Sequence, residues 1–458
     1  MKIINILILI SLACLSLKTY ADPEKKQVVV VGAGISGLGA AQNLQNAGYS
    51  VVILEAKEKI GGRINTNRSL GFPIELGANW IHSNKLENNL LMSIKDELNL
   101  KTQINDITAY QNVRTFDIDG EEIEVSQEDI EKIEFRIGLA AYLTSFFNPN
   151  VSLETIVMTL KNSNLLSFAP EALTKALLQV IELSAGEDAV NMSIDYLFAE
   201  MEYIEKAGND EEVFGGFDQI TDFLSEGLDV RLNSPVLEIN YNSDQVEIFT
   251  DEESYLAEVV LVTVPLGALK QNLINFNPPL PNTKKKAIED INLGNVNKVV
   301  FKFPYNFWGN NNMFFIEREN RSTFSTWINN ESMVNEPVIY SFISGDYSRN
   351  IEKESDDFIV KEAMKSLKKA FGSDIPDPEA KIITRWGMEP YILGTYSAPG
   401  INQNDYLLRS ELSKSIDNKI FFAGEATSIE EYGFAHGALR TGIREAEKIK
   451  NSFKAIKK

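Results

Sequence analysis

A chain of 458 residues holds a single cysteine and only two histidines. The cysteine, Cys14, lies in MKIINILILISLACLSLKTYADP, where Lys2, an apolar run from Ile3 to Leu17 and the small-x-small site Thr19-Tyr20-Ala21 read as a secretory signal over residues 1–21. Cleavage after Ala21 leaves no cysteine, which excludes both a disulfide framework and a thiol nucleophile. Ser11, where an aliphatic residue is preferred, argues against a lipoprotein signal around Cys14. The apolar run is shorter than the roughly 18 residues a spanning helix needs, so no stable membrane span is expected after the leader is removed; an uncleaved anchor is the alternative. Positive charge is scarce as well. Lys and Arg number 44 against 65 Asp and Glu, a formal charge of −21, and loss of Lys2 and Lys18 with the leader deepens it. Such a surface repels phosphate, so nucleic acid is not an expected partner. An acidic cleft would concentrate small cations, although the same charge can serve solubility alone. No internal repeat, low-complexity linker or metal-ligating cluster is apparent.

What is present suits a soluble enzyme, with 44% hydrophobic and 24% charged residues. The length suggests two domains. The strongest signal is QVVVVGAGISGLGAAQNLQNAGYSVVILEA, Gln27 to Ala56. Val28–Val31 is an apolar run of the buried parallel-strand type. Gly32, Gly34 and Gly37 follow at GxGxxG spacing, then a helix from Ile35 to Ala47 closed by Gly48, and a second strand from Tyr49 to Leu54 ended by Glu55. Gly32 permits a tight turn, Gly34 lets backbone approach a pyrophosphate, and Gly37 packs helix on strand. The first helical residues, Ile35 and Ser36, offer N–H groups to phosphate. Glu55 is placed to accept hydrogen bonds from a ribose, and its charge disfavours a 2′-phosphate. A bare GxGxxG is weak evidence; the whole strand–turn–helix–strand–acid unit in register specifies a dinucleotide.

Directly after Ala56 comes KEKIGGRI, with Gly61, Gly62 and Arg63 offering close backbone approach and a phosphate-pairing guanidinium. In this position the run resembles the second fingerprint of the FAD-dependent amine oxidase superfamily, which includes polyamine oxidases, monoamine oxidases, histone lysine demethylases and L-amino acid oxidases. Further segments repeat the resemblance in the family's order. GFPIELGANWIHS, with Gly77, Ala78, Asn79 and Trp80, resembles the stretch beside the isoalloxazine ring. VFGGFDQITDFLSEGLDVRLNSPVLEI resembles the return to the cofactor domain, with Val236 toward adenine. VVLVTVPLGALK resembles the strand and Pro265 turn over the cofactor, and Trp386 is expected among the flavin contacts. FFAGEATSIEEYGFAHGALRTGIREAEKI resembles the closing motif, with Gly424 and Glu425 at the ribityl-pyrophosphate and Ala435-His436 at the pyrimidine end. The implied cofactor is FAD.

The resemblance implies an α/β fold: a discontinuous Rossmann-type FAD-binding domain over 22–100, 213–285 and 380–458, and an α+β substrate-binding domain over 101–212 and 286–379, with an antiparallel sheet and helices on one face. Periodicity agrees, since 126–210 is helical in pattern, as in PEALTKALLQVIELSAG, and 295–380 mixes alternating strands such as NKVVFKF with the helix DDFIVKEAMKSLKKAFG.

The same resemblance implies the chemistry: hydride transfer from the carbon beside nitrogen to flavin N5, reoxidation by O₂ to give H₂O₂, and hydrolysis of the imine. Lys298 matches the lysine that holds a water near N5; on pattern alone it would be a solvated residue of a half-exposed strand, sharing a face with Val300 and Lys302. Tyr396 and Phe434 match the aromatic pair that flanks the amine, and Tyr432 is a second candidate for that wall. Thr395 stands where monoamine oxidases have the cysteine bonded to the flavin 8α carbon, so the FAD is expected to be non-covalent. His82 matches a histidine facing the substrate tunnel, with a loop-ordering role as its alternative. His436 is expected to meet the flavin by its backbone and to have a structural ring. The expected activity is an exported oxidase, periplasmic or secreted, of spermine, spermidine or an acetylated form. An oxidase of L-amino acids or monoamines and a non-catalytic flavin-binding module are the alternatives. An L-amino acid oxidase needs an arginine for carboxylate, and Arg114, Arg318 and Arg385 lie in no motif that supplies one.

Overall fold

A computed structural model describes residues 26–82, 84–86, 88–105, 113–148, 150–194, 196–198, 208–320, 323–398, 400–401 and 404–456. The leader read at 1–21 lies outside the described residues. The chain divides into two compact units, Met1–Gly62 with Ile220–Glu289 and Tyr406–Lys458, and Arg63–Gln219 with Asp290–Asp405. Both are discontinuous. Their limits assign residues 63–100 and 380–405 to the second unit, beyond the substrate-domain limits expected from sequence.

The first unit is built on a five-stranded parallel sheet. Its strands, in spatial order, are Asp229–Arg231, Ser50–Leu54, Gln27–Val31, Val259–Val262 and Ile420–Phe422. Val28–Val31 pair with Val51–Leu54 on one side and Val259–Val262 on the other. These strands are buried along almost their whole length, which is why they read as unbroken apolar runs. The helix Ile35–Asn46 crosses between the first two strands and packs against the long final helix Ala435–Ile456. Small residues set that contact: a Cβ on Gly39 would meet Leu439 at 2.2 Å, and one on Gly442 would meet the Ser36 carbonyl at 2.1 Å. A four-stranded sheet, containing Val236–Asn240, completes the unit.

The second unit centres on a seven-stranded sheet in the order Ala380–Ile383, Val296–Lys302, Val338–Ser344, Thr326–Asn329, Met313–Ile316, Val113–Phe116, Glu122–Ile123. It is antiparallel except between Met313–Ile316 and Val113–Phe116, which run parallel. Val299 and Phe301 face a core shared with Ile359, Ala363 and Leu367 of the helix Asp356–Phe371, whereas Val300 faces one with Phe72, Leu76 and Phe342. Alternation therefore holds, but both faces are covered, so Lys298 is buried and the half-exposed strand expected from pattern is not found. A separate helical core gathers Gln127–Ser145, Leu153–Asn162 and Glu171–Ala185. A small three-stranded sheet, Trp80–Ile81, Asp210–Val213 and Thr102–Asn105, carries the residues of greatest chemical interest.

Candidate functional site

Within the first unit the glycine turn has the form expected of a phosphate cradle. Gly32 has φ +106°, a backbone that side chains rarely adopt, and a Cβ there would sit 2.9 Å from Thr263 Oγ1. A Cβ on Gly37 would lie 2.0 Å from the Gly32 carbonyl, so turn and helix touch through backbone. Gly34 differs: nothing lies within 4 Å of its missing side chain. That open face sits at the N-cap of Ile35–Asn46, where no side chain satisfies the first N–H groups. Donors without an internal partner beside open space suit an anionic ligand.

Glu55 closes the second strand with its carboxylate accepting from Ala33 N at 2.7 Å and Lys57 N at 2.9 Å. Burial outweighs these bonds and pushes its carboxyl above the ordinary range. Further donors, such as the two hydroxyls of a ribose, would stabilise its charged form. Gly61 reaches the same turn through a bridge to Gly34, and Ala56 and Gly62 follow Glu55 on this side. Val236 is a buried strand start, and Pro265 caps the short helix Leu266–Lys270.

At the far end of this unit, Gly424 has φ +115° and donates its N–H to Thr441 Oγ1 at 3.0 Å. Glu425 is buried, and its carboxylate accepts from Gly433 N at 3.0 Å, folding the loop back so that Phe434 leads into the helix at Ala435. The His436 ring stacks on Phe434 at 5.1 Å and is buried. Tyr432, the second candidate wall, stacks on the Arg409 guanidinium at 3.8 Å.

The second unit brings together Lys298, Asn79, Trp80 and His82. The Lys298 ammonium donates to the Glu75 carbonyl and to Asn79 Oδ1 at 2.6 Å, beneath the rings of Tyr340 and Phe342 at 4.5 and 5.1 Å. Burial pulls the Lys298 pKa well below the lysine range, while the Glu75 and Glu212 carboxylates resist that fall. Burial likewise pushes the Glu75 carboxyl up, against hydrogen bonds from Phe217 N and Thr66. Burial thus favours the neutral forms of both groups, which makes Lys298 a better proton acceptor than a surface lysine.

Around it, Arg63 donates to the Thr395 carbonyl, and a Cβ on Gly77 would lie 1.8 Å from the Arg63 carbonyl, so no other residue fits there. Ala78 N donates to that same carbonyl. Trp386 donates its indole N–H to the Leu76 carbonyl at 3.1 Å. Thr395 uses its hydroxyl to accept from Val296 N at 3.2 Å. Tyr396 donates to the Leu183 carbonyl at the end of Glu171–Ala185, with its ring against Gly186. Tyr396 and Phe434 thus fall in different units.

His82 Nδ1 lies 2.9 Å from Asp210 Oδ2, and its ring meets Trp80 edge to face at 5.8 Å. Pairing of Trp80 with Glu212 and of Ile81 with Glu211 fixes the register. Alternation then sets Asp210 and Glu212 on the face of Trp80 and His82, and turns Glu211 away to Lys95 and Thr102. The Trp80 indole N–H is buried and has no hydrogen-bond partner among the described residues. A buried orphan donor of this kind calls for an acceptor from a bound group.

Glu75, Asp210, Glu212, Tyr340 and Phe342 were not singled out from sequence. The Asp-Glu-Glu run before Val213 was the available signal for two of them, since a two-residue period puts its first and third carboxylates on one face. Arg114 and Arg385 are engaged elsewhere, with Glu122 and with Asp356.

A parallel-sheet dinucleotide cradle in the first unit and, in the second, a buried lysine set among aromatic rings and carboxylates are features of an oxidoreductase with a dinucleotide cofactor. Comparison with known proteins agrees. The model of the family described as "Flavin containing amine oxidoreductase" matches residues 35–450. Polyamine oxidase 4 of Oryza sativa subsp. japonica is 31% identical over 438 residues, covering 92% of this chain and 88% of its own. Lysine-specific histone demethylase 1 homolog 3 of Arabidopsis thaliana is 31% identical over 496 residues, and the match spans 93% of this chain but only 30% of that protein. The structure of wild-type putrescine oxidase bound to putrescine superposes with a TM-score of 0.75 at 23% identity, over 93% of this chain and 99% of that one, a likeness of fold. The chain belongs to the flavin containing amine oxidoreductase family. It is an FAD-dependent amine oxidase, and the Gly34 and Glu55 cradle fits that cofactor.

Proposed function

We infer that the protein oxidises a polyamine, such as spermine, spermidine or an acetylated form, and does so outside the cytoplasm. FAD, when bound, supplies the two-electron acceptor for oxidation of a carbon–nitrogen bond. The side chains of this protein have three tasks. Lys298, with its depressed pKa, takes and returns a proton beside Asn79 and Glu75. The ring faces of Trp80, Tyr340 and Phe342 exclude water and favour a neutral amine as the reacting form. Asp210 and Glu212 attract and hold further cationic nitrogens of the substrate, and His82, fixed by Asp210, accepts from one of them.

The observation that carries the substrate reading is the pair of carboxylates, Asp210 and Glu212, on the face of Trp80 and His82. An α-amino acid carries a carboxylate that these two acids repel, and of the three arginines considered for it, Arg114, Arg318 and Arg385, the first and last are committed to Glu122 and Asp356. A monoamine uses neither acid. The polyamine oxidases among the similar proteins support the same choice. Oxygen consumption with a panel of polyamines, L-amino acids and aromatic monoamines tests it: polyamines should turn over fastest, and exclusive turnover of either other class overturns the assignment. Export rests on the segment around Ile3–Leu17 and Ala21.

A further inference from the structure

The helix Gln127–Ser145 has two apolar faces, and the fold uses one. Ile130, Ile133, Ile137 and Ala141 are buried in the helical core. The opposite side presents Phe135, Leu139, Tyr142 and Leu143, and the chain beyond the helix adds Phe146 and Phe147. Their exposures run from 44% at Leu139 to 90% at Phe147. Positions four, seven, eight and eleven beyond Phe135 form a single helical stripe. Tyr142 and Phe146 already stack edge to face at 4.9 Å, so the stripe is an ordered surface. Soluble monomers rarely leave more than a few hundred Å² of contiguous apolar surface open.

We propose that this stripe is a self-association surface, on which the same helix of a second copy packs antiparallel about a two-fold axis. Area is the first argument. The four aromatic rings, 67%, 53%, 66% and 90% exposed, offer about 550 Å² at roughly 200 Å² per ring. The two leucines bring the patch close to the ~800 Å² per partner of a stable interface. Self-complementarity is the second argument. Centred between Ala140 and Ala141, the pairing sets Phe135 against Phe146 of the second copy, Leu139 against Tyr142, and Leu143 over the small Gly138, while Phe147 reaches Glu134 at the edge of the contact. Charge is the third. From Leu139 to Phe147 no residue is charged, and the facing residues 134–142 of the second copy add only Glu134 and Arg136, whose charges cancel, in a chain of formal charge −21, so two copies can approach here with little repulsion. The same acidity makes an anionic lipid surface a poor occupant.

Sedimentation of the purified mature holoenzyme, beginning near Asp22, across a micromolar dilution series tests the proposal. A dimer is expected that dissociates on dilution and tightens with added salt, because salt screens the repulsion between acidic copies. Replacing Leu139→Glu and Leu143→Glu together should weaken the dimer by roughly a hundredfold, with flavin absorbance and turnover unchanged. Leu139→Cys, on the stripe beside the axis and in a mature chain that has no other cysteine, should give a disulfide-linked dimer on mild oxidation. A wild-type protein that stays monomeric at every salt concentration overturns the proposal. So does a dimer that ignores both variants, or a monomer that floats with phosphatidylcholine vesicles through the same stripe.

Discussion

Lys298 Nζ and Asn79 Oδ1 are 2.6 Å apart in a region closed by the rings of Tyr340 and Phe342. An amide oxygen can only accept, so Asn79 holds the lysine in place without adding charge. The charge of the site is left to Glu75 and Glu212, which sets up the first test. Lys298→Met should keep the FAD spectrum and lower kcat by well over tenfold, or 1.4 kcal/mol. Wild-type turnover in that variant would return Lys298 to a packing role.

The pH profile separates Lys298 from its neighbour. Neutral Lys298 is the proton acceptor, so the rate rises with pH through its pKa, which burial has lowered below the lysine range. The Glu75 charge raises that pKa, so Glu75→Gln should move the rising limb to lower pH. Lys298→Met should abolish the limb. A Glu75→Gln profile shifted upward, or unmoved, contradicts the coupling.

The carboxylate pair makes its own demand. Glu212→Gln and His82→Ala should each raise KM for a polyamine by about tenfold, with flavin content retained. Glu212→Gln should also weaken the salt dependence of kcat/KM, because the attraction it removes acts at long range. Glu211→Gln, on the opposite face, serves as the control: it should leave KM unchanged and lower the melting temperature, since Glu211 binds Lys95 and Thr102.

Thr395 bears on how the cofactor is held. Its hydroxyl accepts from Val296 N and offers no nucleophile comparable to a thiolate. Heat or acid denaturation should therefore release yellow FAD into the supernatant; flavin that remained with the precipitated polypeptide would refute non-covalent binding.

If residues 1–21 act as the proposed leader, protein recovered outside the cytoplasm should have an N-terminus near Asp22, readable by mass spectrometry. A full-length product retained in the membrane counts against export.

The nucleotide cradle was legible because its residues are contiguous: strand, turn, helix, strand and acid follow within Gln27–Ala56, and local rules specify each one. Lys298 was readable only through resemblance, since a two-residue period shows which residues share a face but not whether that face is covered. The covering comes from Phe72, Leu76 and Phe342, distant in sequence. Asp210 and Glu212 were missed because their meaning depends on pairing with Trp80–Ile81, some 130 residues earlier. The parallel pairing of Val113–Phe116 with Met313–Ile316 was hidden for the same reason.

The final helix has a consequence for how the protein is made. Ile35–Asn46, which carries the phosphate turn, packs its Gly39 and Ser36 against Leu439 and Gly442, and the parallel sheet ends on Ile420–Phe422. A ribosome delivers these partners last. The fingerprint strand Gln27–Val31 has its neighbours Ser50–Leu54 and Val259–Val262 earlier in synthesis, but the helix Ile35–Asn46 waits for Leu439 and Gly442. A chain broken before Tyr406 lacks both the edge strand Ile420–Phe422 and the helix Ala435–Ile456 on which Ile35–Asn46 packs.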